Sequence, residues 1–245
     1  MNMKTIKAFL LAIVIFGSVD ATIPEYASRK WWDEFWETTD GWGQPNDRVL
    51  TLYEFLDGSK PEVTIVDIGS GNGRNSVLAL MELFKDRNPQ STYVVHCYDT
   101  SVSALSGLQK LNLPDWLKLE THTDNVNKFN RSTLPESDVA LLYGILEYVN
   151  DVRLENVIDY AGQSVKTDGY LMVVTLVEGE GAVVIEGEAT RKTQEYTQRL
   201  SKLLRPFAFV DFPSVELKHD RHDIGRGYPE DHLHHVYRTL LVKVR

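Results

Sequence analysis

The segment Val66-Asp67-Ile68-Gly69-Ser70-Gly71-Asn72-Gly73-Arg74-Asn75-Ser76 constrains this chain more than any other. Three glycines at every second position follow a short β-branched run, Val63 to Ile68, and precede helical periodicity from Arg74 to Phe84. Glycine there lets the backbone turn tightly and lets a ligand approach main-chain N–H groups. A strand, a glycine turn and a helix in succession open a sheet of the α/β kind. The spacing also excludes common alternatives. A dinucleotide fingerprint, G-x-G-x-x-G, would need glycine where Arg74 stands, and a phosphate loop would need G-K-[ST], which is absent. Asp67, two residues before the first glycine, suits a cationic ligand better than a pyrophosphate.

The rest of the chain continues the alternation. Asp47 to Leu56 has helical spacing and Gly58 to close it. Tyr93 to Tyr98, Leu117 to Glu120, Val139 to Tyr143 and Tyr170 to Val177 read as strands. Ser101 to Leu111, Val152 to Val165 (stopped near Asp168-Gly169) and Thr190 to Leu204 (ended by Pro206) read as helices. Phe207 to Leu217 and His235 to Val244 follow each other as strands with no helix between, so they should pair antiparallel at one edge. The expected architecture is Rossmann-like: a doubly wound, mainly parallel seven-stranded α/β sheet with a C-terminal antiparallel hairpin.

The front end is of another kind. Residues 1–21 read as a secretory signal peptide: Lys4 and Lys7, then the apolar run Ala8 to Phe16, then Val19-Asp20-Ala21 with small or compact residues at a cleavage site. The run is too short to span a bilayer comfortably, so no stable membrane span is expected after cleavage. A membrane anchor or a buried N-terminal helix are the alternatives. The Asn130-Arg131-Ser132 sequon agrees with a secretory or extracellular destination. Residues 22–58 then form an aromatic helical lid, with Trp31, Trp32, Phe35, Trp36 and Trp42, and residues 59–245 the sheet domain. The net charge of −9 argues against gripping a nucleic-acid backbone, and the single cysteine, Cys97, excludes an internal disulfide.

The D-x-G-x-G-x-G pattern resembles motif I of class I S-adenosylmethionine-dependent methyltransferases, and the order of elements from Trp31 to Arg245 is similar too. The resemblance implies S-adenosylmethionine as cofactor. It implies a cofactor site at Asp67, Gly69, Gly71, Gly73, Arg74, Asp99, Thr100, Asp124 and Tyr143. Asp99 would hold the ribose hydroxyls, Asp124 would lie near the adenine amine, and Tyr143 would line the cleft. Gly71 to Ser76 resembles the tellurite-resistance type of small-molecule methyltransferases. The Trp-rich start with Thr39-Asp40-Gly41, Glu180 to Ile185, and Pro229 to Tyr237 are instead similar to protein α-N-terminal methyltransferases. Glu147-Tyr148 and Leu176-Val177 depart from that second pattern, which has a histidine and Asp-Asn there. The acceptor implied is an amine such as a protein or peptide N-terminus, or else a small molecule. A third reading is a secreted cofactor-binding protein that has lost catalysis.

Catalytic groups should lie just after strands, because the cleft of such a sheet lies beyond their carboxyl ends. Glu147 and Tyr148, after the fourth strand, could position substrate or serve as base; a first-turn acid and a core tyrosine are the structural alternative. His235 could act as a base near neutral pH. His219, His222, His232 and His234 crowd the same segment, but at no recognised metal-ligand spacing, so no metal site is expected there. Glu178, Glu180, Glu186 and Glu188 could attract a cationic acceptor or simply form a solvated loop. Aromatic walls from the lid would favour a sulfonium.

Overall fold

The computed structural model describes residues 29–38, 44–129, 134–178, 192–220 and 232–244. The proposed leader, Trp42, Asn130, Glu180, Glu186, Glu188 and His222 lie outside the described residues, as do the side chains of His219, His232 and His234.

Among the described residues two helices come first, α1 (Arg29–Thr38) and α2 (Asp47–Leu56). Asn46 caps α2, its side chain accepting from the Arg48 N–H. The sheet follows: β1 (Glu62–Ile68), α3 (Val77–Leu83), β2 (Thr92–Asp99), α4 (Val102–Gln109), β3 (Leu117–Thr123), β4 (Ser137–Tyr143), α5 (Asp151–Ser164), β5 (Val165–Val177), α6 (Thr193–Leu203), β6 (Phe207–Asp220) and β7 (His232–Lys243). All seven strands form one sheet in the order β3-β2-β1-β4-β5-β7-β6. The first five are parallel, while β7 runs antiparallel to both β5 and β6. The expected doubly wound sheet and its C-terminal hairpin are therefore present.

Strand alternation sends side chains to two cores. On one face Val63, Ile65, Tyr93, Val95, Cys97 and Leu141 pack under α2, α3 and α4. On the other Val66, Ile68, Ala140, Leu142, Leu171 and Val173 pack under α5 and α6. Val49, Leu52, Tyr53 and Leu56 of α2 are buried in the first core. Among the described residues no helix is long and apolar enough to cross a membrane.

Several boundaries moved. Residues 74–76 belong to the glycine turn, so α3 starts at Val77 rather than Arg74. The third strand runs on from Glu120 to Thr123, because its polar side chains lie on an edge strand and need no burial. The fifth begins at Val165, directly after α5, instead of at Tyr170. Pairing jumps from Ser137–Val165 to Val139–Tyr170, so residues 166–169 bulge from the sheet, with Asp168 at φ 63°. Asp138 fixes this end. Its buried carboxylate accepts from Lys60 Nζ at 2.8 Å, the Thr64 N–H at 2.7 Å and Lys166 Nζ at 3.4 Å. Burial pushes this carboxyl up, but those donors outweigh it and hold it below the usual carboxylate range.

Candidate functional site at the carboxyl end of the sheet

Strand order reverses at β1, which lies between β2 and β4, so a crevice opens beyond their carboxyl ends. The glycine turn fills the floor of that crevice. The Gly69 and Ser70 N–H groups donate to the Tyr98 carbonyl at 2.8 and 3.1 Å, which ties the turn to β2. Gly71 has φ 52°, and a Cβ there would run into the Trp36 indole. Glycine is thus required at residue 71 both for its backbone and for the seat it gives α1.

Asp99 ends β2 beside this turn. One carboxylate oxygen accepts from the Gly71 N–H at 2.7 Å and the other from the Ser101 N–H at 2.8 Å. Burial raises its pKa, while the N–H groups of Ser101, Gly71 and Thr100 oppose the rise. A carboxylate has about four acceptor positions, so each oxygen keeps capacity for a further donor. Asp124 is half-buried at the end of β3, its N–H bonded to the Asp99 carbonyl at 2.9 Å.

Asp67 lies beneath the turn. It accepts from Ser76 Oγ at 2.6 Å and is almost fully buried. Burial pushes its pKa up to about 7, against the pull of the Ser76 hydrogen bond. The Arg74 guanidinium lies over the Tyr143 ring, 5.5 Å from its centroid, and the Tyr143 hydroxyl accepts from Asn46 Nδ2 at 3.2 Å. Asn75 links the turn to α2 twice: its side chain accepts from the Asn46 N–H, and its carbonyl from the Tyr53 hydroxyl.

Two elements close over the turn. Asp33 of α1 accepts from Ser101 Oγ at 2.8 Å and the Ser103 N–H at 3.1 Å, so α1 is pinned to the start of α4. Trp32 meets Tyr148 edge to face at 5.2 Å. Behind Tyr148, Glu147 is buried and accepts from Thr175 Oγ1 at 2.9 Å. A Cβ on Gly69 would lie 2.6 Å from Ile145, so the strand-four turn also packs directly on the loop. His235 pairs in register with Val177, at this same end of the sheet.

The twelve residues expected to hold the cofactor or serve in catalysis thus fall at one end of the sheet. Asp67, Gly69, Gly71, Gly73, Arg74, Asp99, Thr100, Asp124 and Tyr143 cluster around the turn; Glu147, Tyr148 and His235 flank it. Sequence reasoning missed Asp33, Asn46, Asn75, Ser76 and Thr175 as site residues, and placed Trp36 only in the aromatic lid. Asn46 carried a signal as a helix cap, whereas Asp33 carried none, because its partners lie some seventy positions away.

Asn46, which donates to the Tyr143 hydroxyl, also lines a cavity of about 340 Å³ between α2 and strands β5, β7 and β6. Leu52, Phe55, Met172, Val174 and Leu240 make its walls largely apolar.

No family model and no curated protein matches the chain. Solved structures do. TehB from Haemophilus influenzae superposes with a TM-score of 0.64 over 86% of this chain and 67% of that one, at 14% identity. Magnesium protoporphyrin IX methyltransferase (ChlM) from Synechocystis PCC 6803 with bound SAM gives 0.57 over 88% and 94%, at 14% identity. The 1,6-didemethyltoxoflavin-N1-methyltransferase of Burkholderia thailandensis, with its substrate and S-adenosylhomocysteine bound, gives 0.52 over 100% and 92%, at 14% identity. The chain therefore has the Rossmann-like fold that these methyltransferases share.

Proposed function

We propose that this protein is an S-adenosylmethionine-dependent methyltransferase. The observation that carries the reading is Asp99, a half-buried carboxylate at the end of β2 held against the Gly71 N–H where the strand order reverses. Each Asp99 oxygen retains capacity for one hydroxyl of a vicinal diol. Asp124, half-buried at the end of β3, offers a carboxylate to an exocyclic amine. Aromatic rings of α1 beside the turn would favour a sulfonium over water. Bound S-adenosylmethionine supplies a methyl group open to in-line displacement; the chain supplies alignment, exclusion of water and, where the nucleophile carries a proton, a base. Glu147 and His235 are the candidates for that base, and Tyr148 with Trp32 for positioning.

Two acceptor classes remain to be told apart. A small, largely apolar molecule is favoured by the cavity that Asn46 lines. An amine, such as a peptide N-terminus, is favoured by the sequence resemblance and by the buried Glu147 carboxylate next to the cleft.

Calorimetric titration with S-adenosylhomocysteine tests the cofactor reading. Micromolar binding is expected for the wild type, and Asp99→Ala should lose most of it. No heat from a folded sample, or an unchanged constant in Asp99→Ala, would overturn the assignment. Transfer of labelled methyl to apolar small nucleophiles, set against an X-Pro-Lys peptide panel, separates the acceptor classes. Binding with no turnover on either panel would favour a protein that retains the cofactor site alone.

A further inference from the structure

We propose that His96, Glu120 and His122 form a binding site for a divalent transition-metal ion of the zinc type on the β2–β3 edge of the sheet. The inference is independent of the methyl-transfer reading. The parallel register sets His96 of β2 beside Glu120 of β3, and Tyr98 beside His122. Side chains two residues apart on one strand share a face, so Glu120 and His122 point the same way and His96 joins them across the ladder.

The ligand atoms converge. His96 Nδ1 is 3.3 Å from Glu120 Oε2 and 3.4 Å from His122 Nε2, and His122 Nε2 is 4.0 Å from the same carboxylate oxygen. In a tetrahedral zinc site with bonds of about 2.0–2.1 Å, neighbouring donor atoms lie about 3.4 Å apart. Two of the three separations already meet that value. The third closes with a small turn of Glu120, whose side chain is 58% exposed. A proton cannot account for the cluster as well. One hydrogen on His96 Nδ1 satisfies either the carboxylate or the second imidazole, whereas a cation satisfies all three lone pairs at once.

The surroundings support ligation. Tyr98 stacks on His122 with centroids 4.3 Å apart and fixes the plane of that ring. Among the described residues no fourth His, Cys, Asp or Glu joins the group, which leaves a coordination position for water or an outside ligand.

Cobalt(II), a spectroscopic stand-in for zinc, provides the test. Titration of the chelator-treated full chain should saturate near one equivalent and develop a visible absorption band of low-symmetry coordination. Zinc should displace the band. His122→Ala should weaken binding about 100-fold and Glu120→Gln about tenfold. Glu120 is exposed enough that its variant tests the site without disturbing the fold; far-UV circular dichroism checks both. A triple variant of His222, His232 and His234 to alanine should keep the band. Absence of a band up to a tenfold excess of cobalt, unchanged binding in Glu120→Gln and His122→Ala, or loss of the band in the triple variant would each overturn the proposal.

Discussion

Asp67 shows how much a single residue's environment decides. Its carboxylate sits under the glycine turn with only Ser76 Oγ and the distant Arg74 charge to favour ionisation, and burial wins, raising its pKa to about 7. An unfolded chain would ionise the same group at about 3.9. Between those values the folded state holds a proton that the unfolded state has released, so folding stability is full at low pH and drains away as pH rises toward 7 and beyond. Asparagine keeps an acceptor for Ser76 and cannot ionise. Asp67→Asn should therefore melt within a degree or two of wild type at pH 4 and clearly above it at pH 8, by an amount of order a few kcal/mol. Thermal melts across that range decide it; parallel curves for the two proteins would mean that Asp67 does not titrate with folding. The aspartate itself was legible in the sequence as part of the glycine pattern. Its position beneath the loop was not, because the Ser76 contact depends on residues 74–76 staying in the turn when periodicity placed them in a helix.

At the level of elements, α1 is a half-exposed helix resting on the glycine turn and the start of α4. None of its residues is fully buried. Its anchors include Asp33 on the Ser101 hydroxyl and Ser103 N–H, Glu37 on the Ser103 hydroxyl, Trp36 against Gly71 and Trp32 against Tyr148. Burial pushes the Asp33 carboxyl up, but the α4 donors and Arg29 outweigh it, and the pKa ends lower than usual. A depressed carboxylate stabilises above its unfolded pKa and stops doing so as pH falls through its folded value, so this tether fails only in acid. Asp33→Ala removes it at every pH and leaves Ser101 and Ser103 at the helix start without their acceptor, a loss of about 1–2 kcal/mol. Faster hydrogen exchange over residues 29–38 is expected, together with faster release of S-adenosylhomocysteine and little change in global melting. Unchanged exchange there would show that the aromatic contacts alone hold α1. The helix was legible from the spacing of Trp32, Phe35 and Trp36. Its seat was not, since propensity says nothing about which surface a half-exposed amphipathic helix will choose. The β2–β3 edge teaches the same lesson: His96 and Glu120 meet through strand register, twenty-four positions apart, where ligand spacing along the chain has no meaning. Strand identity was easier to read, because β-branched runs such as Val63 to Ile68 are buried on both faces and leave little ambiguity.

For the molecule as a whole, two cores of described residues cover the sheet. Their buried side chains run from Val49 to Leu241 and cover both faces. The single thiol, Cys97, is buried against Ser76, and burial pushes its pKa far above the usual range, so it is an inert packing group. The two readings of the segment Met1 to Ala21 differ at this scale. Were Ala8 to Phe16 a core helix, removing it would expose apolar surface worth about 1.5–3 kcal/mol for each large buried side chain, and the protein would lose most of its stability. Were it a removable leader, the chain from Thr22 onward would be the working protein. The basic start at Lys4 and Lys7 followed by the short apolar run is the ground on which we propose the second case. A protein spanning residues 22–245 should match the full chain in melting temperature to within about 3 °C, less than roughly 1–2 kcal/mol at this size. It should also bind S-adenosylhomocysteine with the same constant. A fall of more than about 10 °C, or loss of the cooperative transition, would make the segment part of the fold and remove the ground for a secretory reading.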